Sequence, residues 1–336
     1  MLIVASSCLF SGCQHRQQQM RLEGEAQGTY YSIIYYDEKG RNLQQQIDSI
    51  LTAFDQSASL WVDNSLLRRI NRNETNLLDS ILLQLFEQSL EMNAYSGGAF
   101  DVTVGKLVNA WGFGFEHRQD MTDAVIDSLR RFTGAGCITL DVDSLNRPVV
   151  VKQHPETEID FNAIAQGYVV DLIGQFLEQM DIHNYLVDVG GEVIARGHKP
   201  NGDQWSVGIE RPAADKLAKP EVETTISLED KSVVTSGNYR KYYEKDGVKY
   251  AHTIDPATGR PVEHTLLSVS VIDDYAWRAD ALCTMFMVMG LERSLRFIDD
   301  HPDDPQVQAV FFIYDQEGEY RTFATDAFEH YIKDKQ

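Results

Sequence analysis

The sequence has 336 residues, 43% of them hydrophobic and 24% charged, which is typical of a globular protein with a sizeable core. Its 51 acidic and 30 basic residues give a formal net charge of −21 at pH 7, which disfavours a surface built for DNA, RNA or anionic lipid. No apolar run approaches the roughly 18 residues of a membrane-spanning helix, so a polytopic membrane protein is excluded.

The N-terminus has features of a bacterial lipoprotein signal. A small, apolar stretch ends in the box Phe10–Cys13 and is followed by a glutamine-rich polar string. In this interpretation Cys13 becomes the lipidated first residue, and residues 1–20 form the signal segment and a tether. The basic region that normally opens such a signal is missing. A start site placed too far downstream, or an unprocessed apolar terminus, therefore stays open as an alternative.

Residues 21–332 are predicted to form a single domain, because no internal repeat, heptad pattern or long biased linker interrupts them. The cysteines show no paired metal-ligand spacing, so neither a zinc site nor a disulfide framework is expected from Cys8, Cys13, Cys137 and Cys283.

The predicted elements begin with a strand and two helices. A β-branched and aromatic run predicts a strand over Thr29–Tyr36, and apolar residues at helical spacing predict helices over Leu43–Phe54 and Leu77–Tyr95. A charged stretch at Glu116–Asp123 is predicted to be a surface loop.

Further along the chain, strands outnumber helices. Helices are predicted over Ala163–Gln179 and over Ala279–Met289, the second ending at Gly290, and a surface loop over Arg211–Glu223. Strands are predicted at Ile138–Asp141, Pro148–Lys152, Tyr185–Val189, Glu192–Gly197, Trp205–Ile209, Ser232–Thr235 and Leu267–Ile272. Many strands joined by turns indicate antiparallel pairing, so the predicted fold class is α+β.

Common nucleotide-binding and hydrolase motifs are absent. There is no Gly-x-x-x-x-Gly-Lys-Ser/Thr, and the Gly-x-Gly at Gly112 and Gly114 meets His117 where a third glycine is needed. His-Glu-x-x-His and Gly-x-Ser-x-Gly do not occur either. P-loop, classical Rossmann, zinc-protease and serine-hydrolase interpretations are therefore excluded.

Two glycine-punctuated polar clusters suit a nucleotide-like ligand. Ser96–Thr103 combines paired glycines, an aromatic ring and a carboxylate, which suits a flat, hydrogen-bonding heterocycle; a helix C-cap and tight turn would explain it as well. Asp160–Tyr168 places small residues at a helix start, where free N–H groups bind phosphate, and a merely capped helix is the alternative.

Two later clusters carry a base and a pair of oxygen ligands. His252, in the rigid turn that runs to Pro261, would accept a proton near neutral pH, although a lone histidine is more often structural. Asp280 and Thr284 lie at i and i+4 on one helix face and offer hard oxygen ligands that suit magnesium. Taken alone, the pair has a structural explanation: an aspartate is favoured near a helix N-terminus, and a threonine hydroxyl can bond back to its own helix.

In this order and spacing, the clusters resemble the ApbE family of FAD:protein FMN transferases from Gln27 to Gly290. The specific markers are Gly28–Tyr30, Ser59–Trp61, Ser96–Asp101, Ile164–Tyr168, Asp188–Glu192, Thr235–Tyr239, His252–Pro261 and Ala279–Ala281. The resemblance implies an ApbE-like (T-fold-like) fold with mixed, mainly antiparallel sheets, packed helices and an FAD cleft between two lobes.

The resemblance also implies the site residues. Magnesium would be held by Asp280, Thr284 and the backbone carbonyl of Ala163, and His252 would be the base. FAD would contact a set spread over several loops: Gln27, Trp61, Ala99, Phe100, Asp101, Asp160, Gln166 and Ile254. Position 27 is usually methionine in the family and position 166 often lysine or glutamate, so the two glutamines put adenine-end affinity in doubt more than chemistry.

The implied reaction is magnesium-dependent phosphoryl transfer, in which a threonine or serine hydroxyl of an acceptor protein attacks FAD, gains FMN in phosphoester linkage and releases AMP. Family members serve sodium-pumping and related electron-transfer complexes. The expected partner is therefore an acceptor flavoprotein subunit on the periplasmic side of the cytoplasmic membrane, where a lipid on Cys13 would hold the enzyme. A homodimer is left open.

Two alternatives remain from the sequence. One is a magnesium-dependent FAD pyrophosphatase that gives FMN and AMP, and the other a non-catalytic FAD-binding lipoprotein, which retention of Asp280 and Thr284 disfavours. Flavinylation of the chain itself is not expected, because it has no Ser-Gly-Ala-Thr acceptor segment.

Overall fold

The computed structural model describes residues 17–115, 118–212, 221–238, 242–245 and 248–333. The strands are β1 (Gln18–Ala26), β2 (Thr29–Asp37), β3 (Ile138–Val142), β4 (Pro148–Lys152), β5 (Tyr185–Val189), β6 (Glu192–Arg196), β7 (Trp205–Arg211), β8 (Glu221–Leu228), β9 (Lys231–Gly237), β10 (Tyr242–Lys245), β11 (Val248–Ala251), β12 (Ile254–Asp255), β13 (Arg260–Pro261), β14 (Leu266–Asp273), β15 (Val310–Gln316) and β16 (Glu319–Ala324). Eight of them form one antiparallel sheet in the order β1-β2-β5-β6-β9-β14-β15-β16. The others pair two by two as hairpins.

The helices lie between the strands along the chain. They are α1 (Gln44–Ala58), α2 (Leu66–Asn71), α3 (Ser80–Tyr95), α4 (Gly105–Trp111), α5 (Asp123–Arg130), α6 (Ala165–Gln179), α7 (Ala276–Asp300) and α8 (Asp326–Glu329), with short 3-10 turns at Ala135–Cys137 and Pro305–Val307. Helix α7 breaks at Gly290, whose φ of 72° and ψ of 169° are not helical.

The large sheet is buried on both faces, because alternate residues of its central strands enter different cores. In β15, Phe312 belongs to the larger core, which α1, α3, α6 and α7 complete, whereas Phe311 belongs to the smaller one. The smaller core lies under the β7–β8 hairpin and α8, where the rings of Phe311 and Phe328 stack with centroids 5.2 Å apart. Helices α6 and α7 therefore lie side by side on one face of the sheet.

The observed fold confirms the predicted α+β class with mainly antiparallel pairing. The strands Pro148–Lys152 and Tyr185–Val189 have the predicted bounds. Strands β1, β15 and β16 were not predicted. β16 is mostly exposed, whereas β1 alternates Met20, Leu22 and Ala26 with polar residues and β15 is an apolar run, so a signal for these two was present in the sequence. Strand β1 begins at Gln18, inside the segment predicted as a tether.

Three further differences concern the predicted loops and the last helix. Helix α5 begins at Asp123, the last residue of one predicted loop, and β8 begins at Glu221, inside the other. The helix predicted to end at Met289 resumes after Gly290.

Cys13 and the rest of the predicted lipoprotein signal lie outside the described residues. In the part of the chain that the structure describes, no helix combines the length and apolarity needed to cross a membrane. Cys137 and Cys283 are buried free thiols.

Candidate active site

The first turns of α6 and α7 meet at Gly167. A Cβ atom at this position would lie 2.3 Å from the carbonyl oxygen of Ala276, so a larger residue would force the two helices apart. The backbone N–H of Gly167 is one of the N-terminal amides of α6 that have no partner within the helix. It donates a hydrogen bond of 3.1 Å to the carboxylate of Asp280 in α7. Asp280 therefore lies at the positive end of the α6 dipole, a position that favours anions.

The three predicted metal-site residues lie on the two segments that meet at this junction. Asp280 is only 4% exposed, and its burial raises the pKa of the carboxyl to about 7 against the opposing Gly167 hydrogen bond. Thr284 lies one turn further along α7 and is partly exposed between buried neighbours. Ala163 lies in the turn that leads into α6, four residues before Gly167, and is also partly exposed.

The donor set fits magnesium only if the substrate completes it. The described residues contain no group of three or more His, Cys, Asp and Glu side chains that could hold a metal. A buried carboxylate whose hydrogen bond comes from a single neutral amide is poorly compensated, and a divalent cation would offset its charge. Magnesium binds through one or two carboxylates together with water and substrate phosphates, which matches one aspartate, one hydroxyl and one backbone carbonyl.

The β1–β2 and β5–β6 turns lie beside the start of α6. A Cβ atom at Gly190 would lie 2.5 Å from Nε2 of Gln166 and 2.7 Å from Cγ2 of Thr29, so the glycine brings both turns against Gln166. Gln27 occupies the β1–β2 turn with a φ of 53°. Its side chain hydrogen-bonds the Asp55 carboxylate and opposes the rise in the Asp55 pKa that burial causes.

The clusters around Asp101 and Asp160 are brought together. Asp101 accepts hydrogen bonds from the Thr103 N–H (2.7 Å), the Thr103 hydroxyl (2.6 Å) and the Asn93 amide (3.2 Å), while burial raises its pKa. The N–H of Asp160 donates to the carbonyl of Val102 at 2.8 Å, and its carboxylate accepts from the N–H of Asn162. The segment of Asp101 is thus joined to Asp160, which lies directly before the turn that contains Ala163.

Ala99 and Phe100, which precede Asp101, are 6% and 1% exposed. The hydroxyl of Ser96 accepts a hydrogen bond of 2.9 Å from the Phe100 N–H, and the Asn93 amide donates to the Phe100 carbonyl at 2.8 Å. Phe100 is therefore a core side chain, and its backbone is held in the turn after α3.

Trp61 and Ile254 contact residues outside the α6–α7 junction. Trp61 is 67% exposed, and its ring lies 4.4 Å from that of Phe115, centroid to centroid. Ile254 is buried in a small apolar cluster with Trp111 of α4.

His252 is partly buried in the segment that precedes β12. The hydroxyl of the next residue, Thr253, donates to the side-chain oxygen of Asn238 at 2.7 Å. Asn238 follows β9 and donates its N–H to the carbonyl of Leu267 in β14, the strand that leads to α7. The same segment is tied to α4, because the Trp111 indole donates to the carbonyl of Gly259 at 2.8 Å.

Sequence reasoning gave no role to Gly167, Asp171 and Asp188. Gly167 sets the approach of the two helices, and Asp171 hydrogen-bonds the start of α7. Asp188 accepts hydrogen bonds from the Gly191 N–H and the Tyr30 hydroxyl, and burial raises its pKa. A glycine and an aspartate within an apolar helix were the available signals for the first two.

Comparisons with known proteins find the same kind of relative over most of the chain. The sequence model of the ApbE family matches residues 27–311. A Vibrio cholerae protein named FAD:protein FMN transferase is 33% identical over 341 residues, covering 99% of this chain and 98% of that protein. An Escherichia coli K12 protein of the same name is 32% identical over 346 residues, covering 98% and 96%.

Two solved structures are similar in fold over nearly the whole chain. The flavin transferase ApbE from Vibrio cholerae has a TM-score of 0.80 and 32% identity, covering 94% of this chain and 99% of that one. The apo form of the Pseudomonas stutzeri flavinyl transferase ApbE has a TM-score of 0.82 and 30% identity, covering 96% and 99%.

Proposed function

The chain belongs to the ApbE family, and we propose on this premise that it is an FAD:protein FMN transferase, which moves FMN from FAD to a hydroxyl of an acceptor protein. One observation carries the proposal: the buried Asp280 carboxylate is hydrogen-bonded to the N-terminal turn of α6, directly after the segment that joins Asp160 to Ala163. The Asp160 carboxylate and the N-terminal turn of α6 thus follow one another along the chain, and the Asp280 carboxylate of α7 lies against that turn.

The proposed reaction is a phosphoryl transfer. The oxygen of an acceptor threonine or serine forms a bond to the FMN phosphorus, the bond from that phosphorus to the oxygen bridging to AMP breaks, and AMP leaves. We assign His252 as the base that accepts the hydroxyl proton, because a neutral imidazole is basic near neutral pH. Magnesium, when bound, would neutralise charge on the pyrophosphate, and Asp280, Thr284 and the Ala163 carbonyl would hold it.

The other site residues are proposed to bind FAD. Asp101 and Asp160 would accept hydrogen bonds from ring or ribose donors, and the exposed ring of Trp61 would offer an aromatic face. Gln27 and Gln166 would lie at the adenine end; both are neutral amides, so they would bind it by hydrogen bonds without charge.

The remaining site residues belong to the turn after α3 and to β12. Ala99 and Phe100 would shape the flavin pocket through the turn whose backbone Ser96 and Asn93 hold. The side chain of Ile254 lies in the apolar cluster, so we expect it to support the pocket wall.

We further propose that Cys13 carries a lipid and that the enzyme acts on the periplasmic side of the cytoplasmic membrane, on a flavoprotein subunit of an electron-transfer complex. The lipobox Phe10–Cys13 supports this proposal. Mass spectrometry of the membrane-extracted protein is expected to find a diacylglyceryl group on Cys13 as the first residue. A chain that retains an unmodified Met1 would contradict lipidation.

The central experiment separates transfer from hydrolysis. A chain that begins at Gln17, and so keeps all of β1, is mixed with FAD, magnesium and an acceptor domain, while AMP release and acceptor mass are followed. We expect the acceptor to gain the mass of FMN only with magnesium and an intact Asp280. Asp280→Ala is compared with Asp299→Ala, which changes an exposed carboxylate at the far end of α7 and is expected to retain activity.

Other outcomes would reject the proposal. AMP and free FMN without an adduct would indicate an FAD pyrophosphatase. Tight FAD binding without turnover would indicate a non-catalytic carrier.

A further inference from the structure

In each of the helices α6 and α7, an aspartate accepts hydrogen bonds from backbone amides at the N-terminus of the other helix. Asp280 of α7 accepts a hydrogen bond from the Gly167 N–H of α6 at 3.1 Å. In the opposite direction, the two carboxylate oxygens of Asp171 in α6 accept hydrogen bonds from the Ala276 N–H (3.0 Å) and the Trp277 N–H (2.9 Å) of α7. Each helix therefore supplies the acceptor for amides that the other cannot satisfy within its own first turn.

Asp171 replaces a conventional cap of α7. The residue before this helix, Tyr275, makes no side-chain capping hydrogen bond. Ala276 is fully buried, Trp277 is 9% exposed and Asp171 itself is 4% exposed, so water has little access to these groups. Hydrogen bonds from backbone amides to a carboxylate are charge-assisted, and leaving buried partners unpaired is costly.

This arrangement fixes how α7 lies against α6. Asp171 lies one turn after Gly167, and Asp280 lies one turn after Ala276, so the two sets of hydrogen bonds are about one helical turn apart on both helices. Two hydrogen bonds to adjacent amides restrain both the rotation and the axial position of α7. Because a helix is stiff over such a distance, they also restrain the directions of the Asp280 and Thr284 side chains.

We propose that Asp171 is a positioning residue for the metal site: it sets the register of α7 against α6 so that Asp280 and Thr284 face the Ala163 turn together. The inference rests on the proposed function, because it concerns the proposed magnesium ligands. Magnesium requires near-ideal octahedral geometry at distances of about 2.0–2.1 Å, so a small shift of two ligands on one helix weakens binding. Asp171 contacts the helix start and not the ligands themselves.

The test replaces Asp171 with asparagine in the full chain. The side chain keeps its shape, but one acceptor oxygen becomes an NH2 group that faces a backbone N–H. We expect metal affinity to fall about 10-fold, as is typical for residues that orient metal ligands. Binding is measured directly by titrating Mn²⁺ and following the free ion by electron paramagnetic resonance, without turnover. In kinetics, half-saturating magnesium should rise by a similar factor, while kcat at saturating metal and KM for FAD stay within about 3-fold.

Asp273→Asn is the matched control. Asp273 is also a buried carboxylate, at the end of β14 just before α7. It accepts from the Tyr275 N–H at 2.9 Å and pairs with Arg278 at 2.7 Å, but both partners belong to its own segment of chain. We expect this variant to lower Tm at least as much as Asp171→Asn while metal affinity changes less than 2-fold.

Asp171→Ser, which keeps one acceptor oxygen, is the second variant if the asparagine protein does not fold. Equal weakening of Mn²⁺ binding in the Asp171 and Asp273 variants would overturn the proposal, since general loosening of α7 would then be the cause. Unchanged affinity in the Asp171 variants would overturn it as well. A wild-type protein that binds no Mn²⁺, even with FAD present, would instead refute the metal site of the proposed function.

Discussion

Gly167→Ala tests whether the close approach of α6 and α7 is needed. The new Cβ atom would lie 2.3 Å from the Ala276 carbonyl oxygen and 2.8 Å from the Trp277 Cα, so backbone atoms must retreat. Overpacking of this kind costs about 1–3 kcal/mol, and weakening the Gly167 hydrogen bond to Asp280 costs about 1.5–3 kcal/mol. Alanine regains about 1 kcal/mol of helix propensity. We expect a net loss of about 2–4 kcal/mol, measured by urea unfolding followed by tryptophan fluorescence.

Gly174→Ala on the same helix is the control. Its Cβ atom would meet the Tyr185 hydroxyl at 2.9 Å, which is the end of a side chain and not backbone. We expect this variant to stay within about 1 kcal/mol of the wild type, because helix propensity offsets the contact. If Gly167→Ala were as stable as Gly174→Ala and bound Mn²⁺ like the wild type, the reasoning about the helix junction would be refuted.

Three further substitutions test other parts of the structure. Hydrogen bonds and the ion pair with Arg41 hold the pKa of Asp37 at about 2 rather than 3.8, so they stabilise the fold above about pH 4 and are lost as the pH falls towards 2. Asp37→Asn should therefore cost about 2 kcal/mol at pH 7 and almost nothing near pH 2 in urea unfolding; a constant difference would contradict this. Gly290→Ala should cost about 1–3 kcal/mol and lower Tm, because Gly290 has a φ of 72° and a Cβ atom would lie 2.7 Å from the His264 ring; an unchanged Tm would contradict it. Trp61→Ala should leave Tm unchanged, since the ring is 67% exposed, but raise KM for FAD about 3–10-fold; an unchanged KM would remove Trp61 from the flavin site.

The sequence predicted most of the central strands from local apolar patterns, but not β15, whose apolar run Val310–Tyr314 was overlooked. Pro148–Lys152 has the predicted bounds because β-branched residues fill it. β1 was missed because its first residues were assigned to a tether, although Met20, Leu22 and Ala26 alternate with polar residues. It pairs with β2 along its whole length, from Gln18 opposite Asp37 to Ala26 opposite Thr29. Such pairing is a tertiary property that residue type does not report.

In the candidate site, too, the local spacing was predicted from the sequence and the contacts between distant segments were not. The i,i+4 spacing of Asp280 and Thr284 was visible in the sequence, because it depends only on helix geometry. The hydrogen bonds from Gly167 to Asp280 and from the start of α7 to Asp171 join residues more than 100 positions apart. They depend on how two helices pack on one sheet, which spacing along the chain does not determine.

The start of β1 at Gln18 limits the reach of a membrane-anchored enzyme. If Cys13 carries the lipid, the chain from Cys13 to Gln18 spans at most about 18 Å at roughly 3.5 Å per residue step. The start of β1 therefore stays close to the bilayer surface. The part of the body within about 8 Å of the bilayer, the screening length in physiological salt, is exposed to the charge of anionic headgroups, which repel a chain with a net charge of −21. The body should then point its most acidic surface outward, which limits the orientations in which it can meet an acceptor on the same membrane.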